Sequence, residues 1–360
     1  MSSVLAIAND LGSIQSVMPV VGELAKRGKQ AVLGMPVQRK TLEIQNKWRE
    51  HRQSLLFFDG DGDIAWFLRT TISTFQPKLI LTGSSVPRHP ATPTAEQLSS
   101  LLGQEFKIPV VAILDAWGYY PERFGLLTGQ TPCIPNLICA LDETCAQDLI
   151  NIGIPRDRIL ITNNPWMDQF CIKQGRENSS SIKNIAFVSQ PLAEVRWPRK
   201  WKYDQRDLFK ILMESLHDIP FNLRVNVWVH PSETIYSWHE LVSEYPEMAT
   251  IQRDKSPKSL ASVDLLVTSH STMVYQALHM GVPCIVLRPD FSSCDEHLTD
   301  RLGLTVKVSE MTSLNETITR TLINGVHELR EATIRMKANN LFFSSGESTN
   351  LVLDALGKYI

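Results

Sequence analysis

Short apolar runs alternate with longer amphipathic stretches through the first half of the chain. Val4–Ala8, Ala31–Gly34, Ser54–Phe58, Leu79–Thr82, Val110–Leu114, Leu137–Ala140 and Ile159–Ile161 read as buried strands. Gln15–Arg27, Ala65–Thr74, Thr94–Gly103 and Glu143–Gly153 read as helices, with Gly28 and Gly153 as stops. Strands separated by helices predict parallel βαβ units. Residues 173–184, KQGRENSSSIKN, are polar and aperiodic and predict a linker. The pattern then restarts. Strands are expected at Ile185–Val188, Arg224–Val229, Ala249–Gln252, Leu265–Thr268, Cys284–Leu287 and Thr305–Val308. Helices are expected at Asp207–Leu216, Ser237–Glu244 and Ser313–Asn324, with further helical pieces at Glu328–Asn340 and Thr349–Lys358.

The expected fold class is therefore α/β, with two Rossmann-like, doubly wound parallel-sheet domains. The first spans 1–172 and the second 185–342, joined by the linker 173–184. Residues 343–360 form a C-terminal helix that packs back on the first domain in one arrangement. Open sheets of this kind bind ligands beyond the carboxyl ends of their strands. Functional residues are thus expected just after strands, in a cleft that both sheets face.

Composition narrows the function classes. The chain has 360 residues, is 43% hydrophobic and carries a formal net charge of −2, so it shows no overall electrostatic footprint for nucleic acid. No apolar run reaches the roughly 18–20 residues needed to span a bilayer. The start, MSSVLAIANDLGS, has no basic segment ahead of a long apolar one and reads as a first strand. The cysteines at 133, 139, 145, 171, 284 and 294 include no CxxC pair, which predicts neither a zinc site nor a disulfide framework. A reduced, cytoplasmic protein is expected. One cluster, VRWPRKWKYDQR at 195–206, alternates cations with aromatic residues. It is either a surface loop with snorkelling stems or a contact for an anionic partner such as lipid headgroups.

The richest motif lies at 263–289. After the apolar run Leu265–Thr268 comes Ser269–His270–Ser271–Thr272, then a helix, then Gly281 and Pro283 ahead of Cys284–Leu287. Hydroxyls and unpaired backbone N–H groups at a helix start suit a phosphate, although Ser271 or Thr272 alone would serve as an ordinary cap. His230 and Pro231 follow the run RVNVWV, so His230 is expected at the top of the second sheet, next in strand order to the serine loop. An imidazolium there would neutralise a leaving nucleotide phosphate; packing against Trp228 or Trp238 is the plainer role. Ser189 and Gln190 end the first strand of the second domain and form a third loop at the same edge. Glu296 heads a helix and could hold sugar or ribose hydroxyls, or only complement the helix dipole.

In the first domain, Asp10, Gly12, Ser13 and Gln15 follow the first strand. Gly12 permits a close backbone approach, and Ser13 can cap the next helix. Asp115 ends the run VVAIL beside Trp117, Tyr119 and Tyr120. Aromatic neighbours would desolvate it and make it a general base, or Asp115 caps a turn over packed aromatics. Asp59–Asp63 reads as a solvated capping turn and as a second acidic candidate. The histidines show no metal-ligand spacing, so no metal and no cofactor other than a substrate nucleotide-sugar are expected.

These motifs resemble the GT-B superfamily of nucleotide-sugar enzymes. GSIQSVMPVVGELAKRG is similar to the start of their N-terminal domain, and TSHSTMVYQALHMGVPCIVLRP to their nucleotide-binding segment. The pair VHPS and TSHST resembles the HP and serine motifs of bacterial sialyltransferases, polysialyltransferases and CDP-glycerol polymerases. LDAWGYYPERF followed by NNPWMDQF is similar to bacterial surface-polysaccharide proteins of this superfamily. The resemblance implies donor-phosphate contacts from His230, Ser271 and Thr272, an acceptor-activating role for Asp115, and metal independence. Many UDP-sugar members carry Glu where this chain has Gln276, and the HP motif implies a cytidine-type donor. The implied function is an inverting glycosyltransferase acting on a glycan or lipid-linked acceptor in surface-polysaccharide synthesis. A nucleotide-sugar 2-epimerase or hydrolase, and a non-catalytic binding protein, are the alternatives on the same fold.

Overall fold

The computed structural model describes residues 3–37, 55–60, 62–87, 89, 91–171, 181–192, 203–230, 233–289 and 298–360. The chain forms two units, Met1–Gln169 with Met336–Ile360, and Phe170–Arg335.

The first unit contains β1 (Ser3–Ile7), β2 (Gln30–Pro36), β3 (Leu55–Phe58), β4 (Leu79–Thr82), β5 (Val110–Ile113), β6 (Leu137–Ala140) and β7 (Ile159–Ile161). They form a seven-stranded parallel sheet in the order β3-β2-β1-β4-β5-β6-β7. Every residue of β1, β4, β5 and β6 is buried, as expected for strands covered by helices on both faces. The order reverses between β1 and β4, so their carboxyl ends, Ile7 and Thr82, flank the switch point.

The helix Leu11–Lys26 buries Ile14, Val17, Val21 and Leu24 at helical spacing. Those side chains share a core with Val352, Leu353, Ala355 and Leu356 of the C-terminal helix Ser348–Leu356. Asp168 holds the start of that helix. It accepts from the Ser348 and Thr349 amides at 3.1 and 2.9 Å, and from the Ser344 and Thr349 hydroxyls at 3.1 and 3.0 Å. It thereby satisfies donors that a helix N-terminus leaves without partners.

The second unit contains β8 (Ile182–Val188), β9 (Asn222–Trp228), β10 (Ala249–Ile251), β11 (Leu265–Thr268), β12 (Cys284–Leu287) and β13 (Val306–Val308). Its parallel sheet has the order β10-β9-β8-β11-β12-β13, with the switch between β8 and β11. Phe187, Phe209 and Trp238 pack one face; the Phe209 and Trp238 rings meet edge-on at 5.7 Å.

Two expectations change. Ser313–Asn324 and Glu328–Asn340 belong to one helix, Leu314–Ala338. Asn324 and Gly325 look like a break in sequence, but Gly325 is buried against Pro283. A Cβ at 325 would lie 2.9 Å from the Pro283 Cβ, so glycine is there for close approach, and packing outweighs its poor helix propensity. The chain also rejoins the first unit at Met336, inside the span expected for the second domain. Phe342 stacks on Trp117 with centroids 5.2 Å apart, and its amide donates to Asp142 at 2.9 Å. Among the described residues, no helix is long and apolar enough to cross a membrane.

Asp168→Ala removes the acceptor that caps the C-terminal helix and is expected to cost about 1–2 kcal/mol. The measurement is the midpoint of thermal unfolding. An unchanged midpoint would mean that water caps the helix equally well.

Candidate functional site

Residues from the carboxyl ends of β1, β4 and β5 meet at the switch point of the first sheet. Asp10 caps the helix Leu11–Lys26 by accepting from the Ser13 amide at 2.9 Å. Gly12 follows because a Cβ there would come within 2.4 Å of Asp115 Oδ2. Gly83 is required for the same reason, since its Cβ would fall 2.4 Å from that of Ser13. The two glycines let the helix start and the β4 loop close around Ser13, whose hydroxyl lies 2.9 Å from that of Ser85 and accepts the Ser84 amide at 3.1 Å.

Asp115 follows β5, but aromatic side chains are not what engages its carboxylate. Arg123 Nη1 lies 2.6 Å from Asp115 Oδ1, and the Ser84 hydroxyl donates to the same oxygen at 3.1 Å. Arg123 also donates to the Ser84 carbonyl and hydroxyl, and through Nε to the Gly118 carbonyl at 3.0 Å. Gly118 and Tyr119 both have positive φ, 87° and 56°, which folds that carbonyl back onto the guanidinium. Trp117 stacks on Phe342, Tyr120 is buried in the core around Leu114 and Leu141, and Tyr119 is exposed.

Arg123 is placed by a distant cap. Thr94 and Gln97 form a reciprocal capping box at the start of the helix Ala95–Phe106. The Gln97 amide then donates to the Glu122 and Arg123 carbonyls at 2.8 and 3.2 Å.

Glu96, in the first turn of that helix, is only 4% exposed. Its Oε1 accepts from the Asn9 amide at 2.7 Å and the Ser85 hydroxyl at 2.6 Å. Burial, opposed by the Ser85 hydrogen bond and assisted by the nearby Asp10 charge, pushes its pKa up to about 7. Asp10 is also pushed above its ordinary value, first by lost hydration and then by the Asp115 charge; the Ser13 amide, the Ser85 hydroxyl and Arg123 pull the other way. Asp10 nonetheless keeps an exposed surface, whereas Glu96 does not. Gln15 lies one turn further along the same helix and is half-buried. Ser84, Ser85, Glu96 and Arg123 were not singled out in sequence. The triplet Gly83–Ser84–Ser85 after an apolar run was the available signal for the first two. Asp63 of the acidic turn caps the helix Ile64–Phe75, accepting from the Trp66 amide at 2.8 Å.

In the second unit, β8 lies between β9 and β11. Ser189, at the end of β8, is therefore the strand-order neighbour of His230, and the serine loop lies one strand further on. Glu233, also not singled out in sequence, ties the β8 and β9 ends together. It accepts from the Ser189 hydroxyl at 2.6 Å, the His230 amide at 3.0 Å and the Trp238 indole at 3.1 Å. Gln190 folds back, its amide on the Ser189 carbonyl at 3.1 Å. Ser269 and Ser271 are buried and Thr272 is exposed. Ser271 Oγ accepts the Met273 amide at 3.2 Å, so it caps the short helix Met273–His279. Gln276 is half-buried on that helix. Pro231, Glu296 and most of the basic-aromatic cluster lie outside the described residues.

Comparison with known proteins places this architecture. No protein-family model matches the chain, and no curated protein matches its sequence. Solved structures do match in shape. One is the Neisseria meningitidis UDP-GlcNAc 2-epimerase bound to UDP-GlcNAc, at 15% identity, covering 99% of this chain and 100% of that one, with a TM-score of 0.70. The fold is GT-B. Acinetobacter baumannii MurG matches with a TM-score of 0.62 at 13% identity, covering 99% of this chain and 100% of its own. Anabaena HepE in complex with UDP-glucose matches at 0.59 and 9% identity, with 99% of each chain covered. At such identities the likeness establishes the GT-B fold, and residue roles must come from the geometry above.

The buried carboxyl makes a measurable prediction. Folded Glu96 binds its proton more tightly than the unfolded chain does, so stability falls as pH rises from about 4.5 to about 7 and levels off above. Glu96→Gln should remove this component. Its stability relative to the parent should therefore rise across that window by about 1–3 kcal/mol. Parallel stability-versus-pH curves for the two proteins would contradict the assignment.

Proposed function

We propose that this GT-B chain is a metal-independent glycosyltransferase. It moves a sugar from a nucleotide-activated donor to a glycan or glycolipid acceptor, as in the synthesis of bacterial surface polysaccharide. The observation that carries the reading is Asp10, a ligand-accessible carboxylate at a sheet switch point whose affinity for a proton is raised by its surroundings. A general base works best when its proton affinity approaches the working pH. Asp10 takes the proton of the acceptor hydroxyl as that oxygen bonds to the anomeric carbon. The bond from that carbon to the donor phosphate breaks, and its electron pair leaves with the phosphate.

Asp115, first expected to be this base, is committed to Arg123 and Ser84 and shapes the site instead. Gly12 and Gln15 line the acceptor side with Asp10, and the buried Ser13 supports them from beneath. In the second unit, His230, Ser269, Ser271 and Thr272 receive the donor phosphates. Ser189 and Gln190 complete that edge, and Gln276 reaches the ribose. Glu233 is the added support, because it fixes the backbone of His230 and the hydroxyl of Ser189 together.

A second reading is a nucleotide-sugar 2-epimerase or hydrolase. It is favoured by the solved 2-epimerases of similar shape.

Two measurements test the function. Asp10→Asn should lower kcat by about 10²–10⁴-fold while the donor KM changes little. Turnover that requires an acceptor supports the transferase; a new sugar or free sugar formed from donor alone replaces it with the second reading. In a panel of CMP, CDP, UDP, GDP and dTDP, one nucleotude class should raise the thermal midpoint, and His230→Ala should weaken the effect. No stabilisation by any nucleotide would remove the donor assignment.

A further inference from the structure

The peptide group that joins Val229 to His230 is held by charges at both of its ends. On the side of β9 that faces β10, the backbone ladder closes where the Gln252 amide donates to the Val227 carbonyl at 3.0 Å. The Val229 carbonyl, two residues on, points the same way. A side chain meets it in place of a backbone amide, as Lys255 Nζ donates to it at 2.7 Å. The nitrogen of the same peptide group, the His230 amide, donates to Glu233 Oε2 at 3.0 Å. The His230 carbonyl in turn accepts the Glu233 amide at 3.0 Å. The backbone is therefore fixed on both sides of the His230 Cα, and the proline that follows in sequence restricts it further.

The loop after β10 is built to deliver that lysine. Asp254 accepts from the Ser256 amide and hydroxyl at 3.0 and 2.8 Å and from the Ser259 hydroxyl. The Gln252 side chain donates to Ser259 Oγ at 3.1 Å. Lys255, next to Asp254, is half-buried and reaches across to the end of the neighbouring strand. Its charge matters there as much as its hydrogen bond. The Glu233 carboxylate lies at the His230 amide, where it would repel an arriving phosphate. An ammonium on the other end of the same peptide group opposes that repulsion.

We propose that Lys255 belongs to the donor site. With Glu233 it clamps the peptide that carries His230, and its ammonium offsets the Glu233 carboxylate where a nucleotide phosphate arrives. The inference rests on the reading of His230 as a contact for the donor phosphates. It extends the donor edge to the loop after β10. Lys255 is a positioning residue, acting through the His230 peptide and the Glu233 charge without contact with the donor.

Calorimetry with CMP, CDP and UDP tests the charge balance. Lys255→Met should weaken the nucleotide that binds the parent protein by about tenfold. Lys255→Arg keeps a cation and an N–H donor and should retain most of the affinity. Adding Glu233→Gln to Lys255→Met removes the carboxylate left unbalanced, so the double variant should bind more tightly than Lys255→Met alone. Unchanged affinity in Lys255→Met, or a double variant weaker still, overturns the proposal. Amide hydrogen exchange tests the clamp without any ligand. Lys255→Met should speed exchange at His230 while the Val227 and Trp228 amides keep their protection, and an unaltered His230 amide overturns the clamp. If no nucleotide binds the parent protein, the donor reading falls and the donor role of Lys255 with it; the exchange result then decides whether Lys255 holds the His230 peptide.

Discussion

One guanidinium organises the candidate site. Arg123 is almost wholly buried, and its charge is met by Asp115 from the end of β5 and by the carbonyl and hydroxyl of Ser84 from the end of β4. Removing one partner of such a pair leaves an uncompensated charge in the interior, at a cost of order 3–5 kcal/mol. The pair therefore holds two strand ends in register with each other. Its position determines where the other groups sit, since Gly12 packs over Asp115 Oδ2 and Ser84 reaches Ser13.

The support for that guanidinium extends outward through ordinary structural devices. A capping box at Thr94 and Gln97 starts a helix, and the same Gln97 side chain then holds the backbone of Arg123. The first turn of that helix also delivers Glu96 beneath Asp10. One helix start thus fixes both the cation of the site and its buried acid. The second unit uses a comparable device with a carboxylate as its centre, where Glu233 ties Ser189 to the His230 backbone and to Trp238. In both units, groups with chemical potential are clamped by residues that never need to meet a ligand, which is how a site keeps its geometry before substrate arrives.

Much of the architecture was legible in the chain. Fully buried parallel strands are near-continuous apolar runs, so Leu79–Thr82, Leu137–Ala140, Leu265–Thr268 and Cys284–Leu287 were read to the residue. Asp10, Ser13 and Asp115 could be nominated because they follow such runs, and a parallel sheet places strand ends together. Glu96, Arg123 and Glu233 could not. Glu96 and Glu233 lie at or just ahead of helix starts and Arg123 ends a four-residue helix, positions where an acidic or basic residue is most often a solvated one.

The sequence by itself determined the fold class, through the alternation of apolar runs and helical periodicity, and the strand ends at which chemistry was to be sought. Tertiary structure alone decided strand order, which sets β8 between the His230 and serine loops. It also decided that Gly325 lies within a helix, because the contact with Pro283 is invisible to local propensity. Above all it decided which carboxylate is available. Asp10, Glu96 and Asp115 are alike in charge, and only their surroundings separate them. Arg123 engages Asp115, burial raises the proton affinity of Glu96, and Asp10 stays exposed to solvent. Such differences arise from desolvation and from contacts across many residues of chain, which no local pattern encodes.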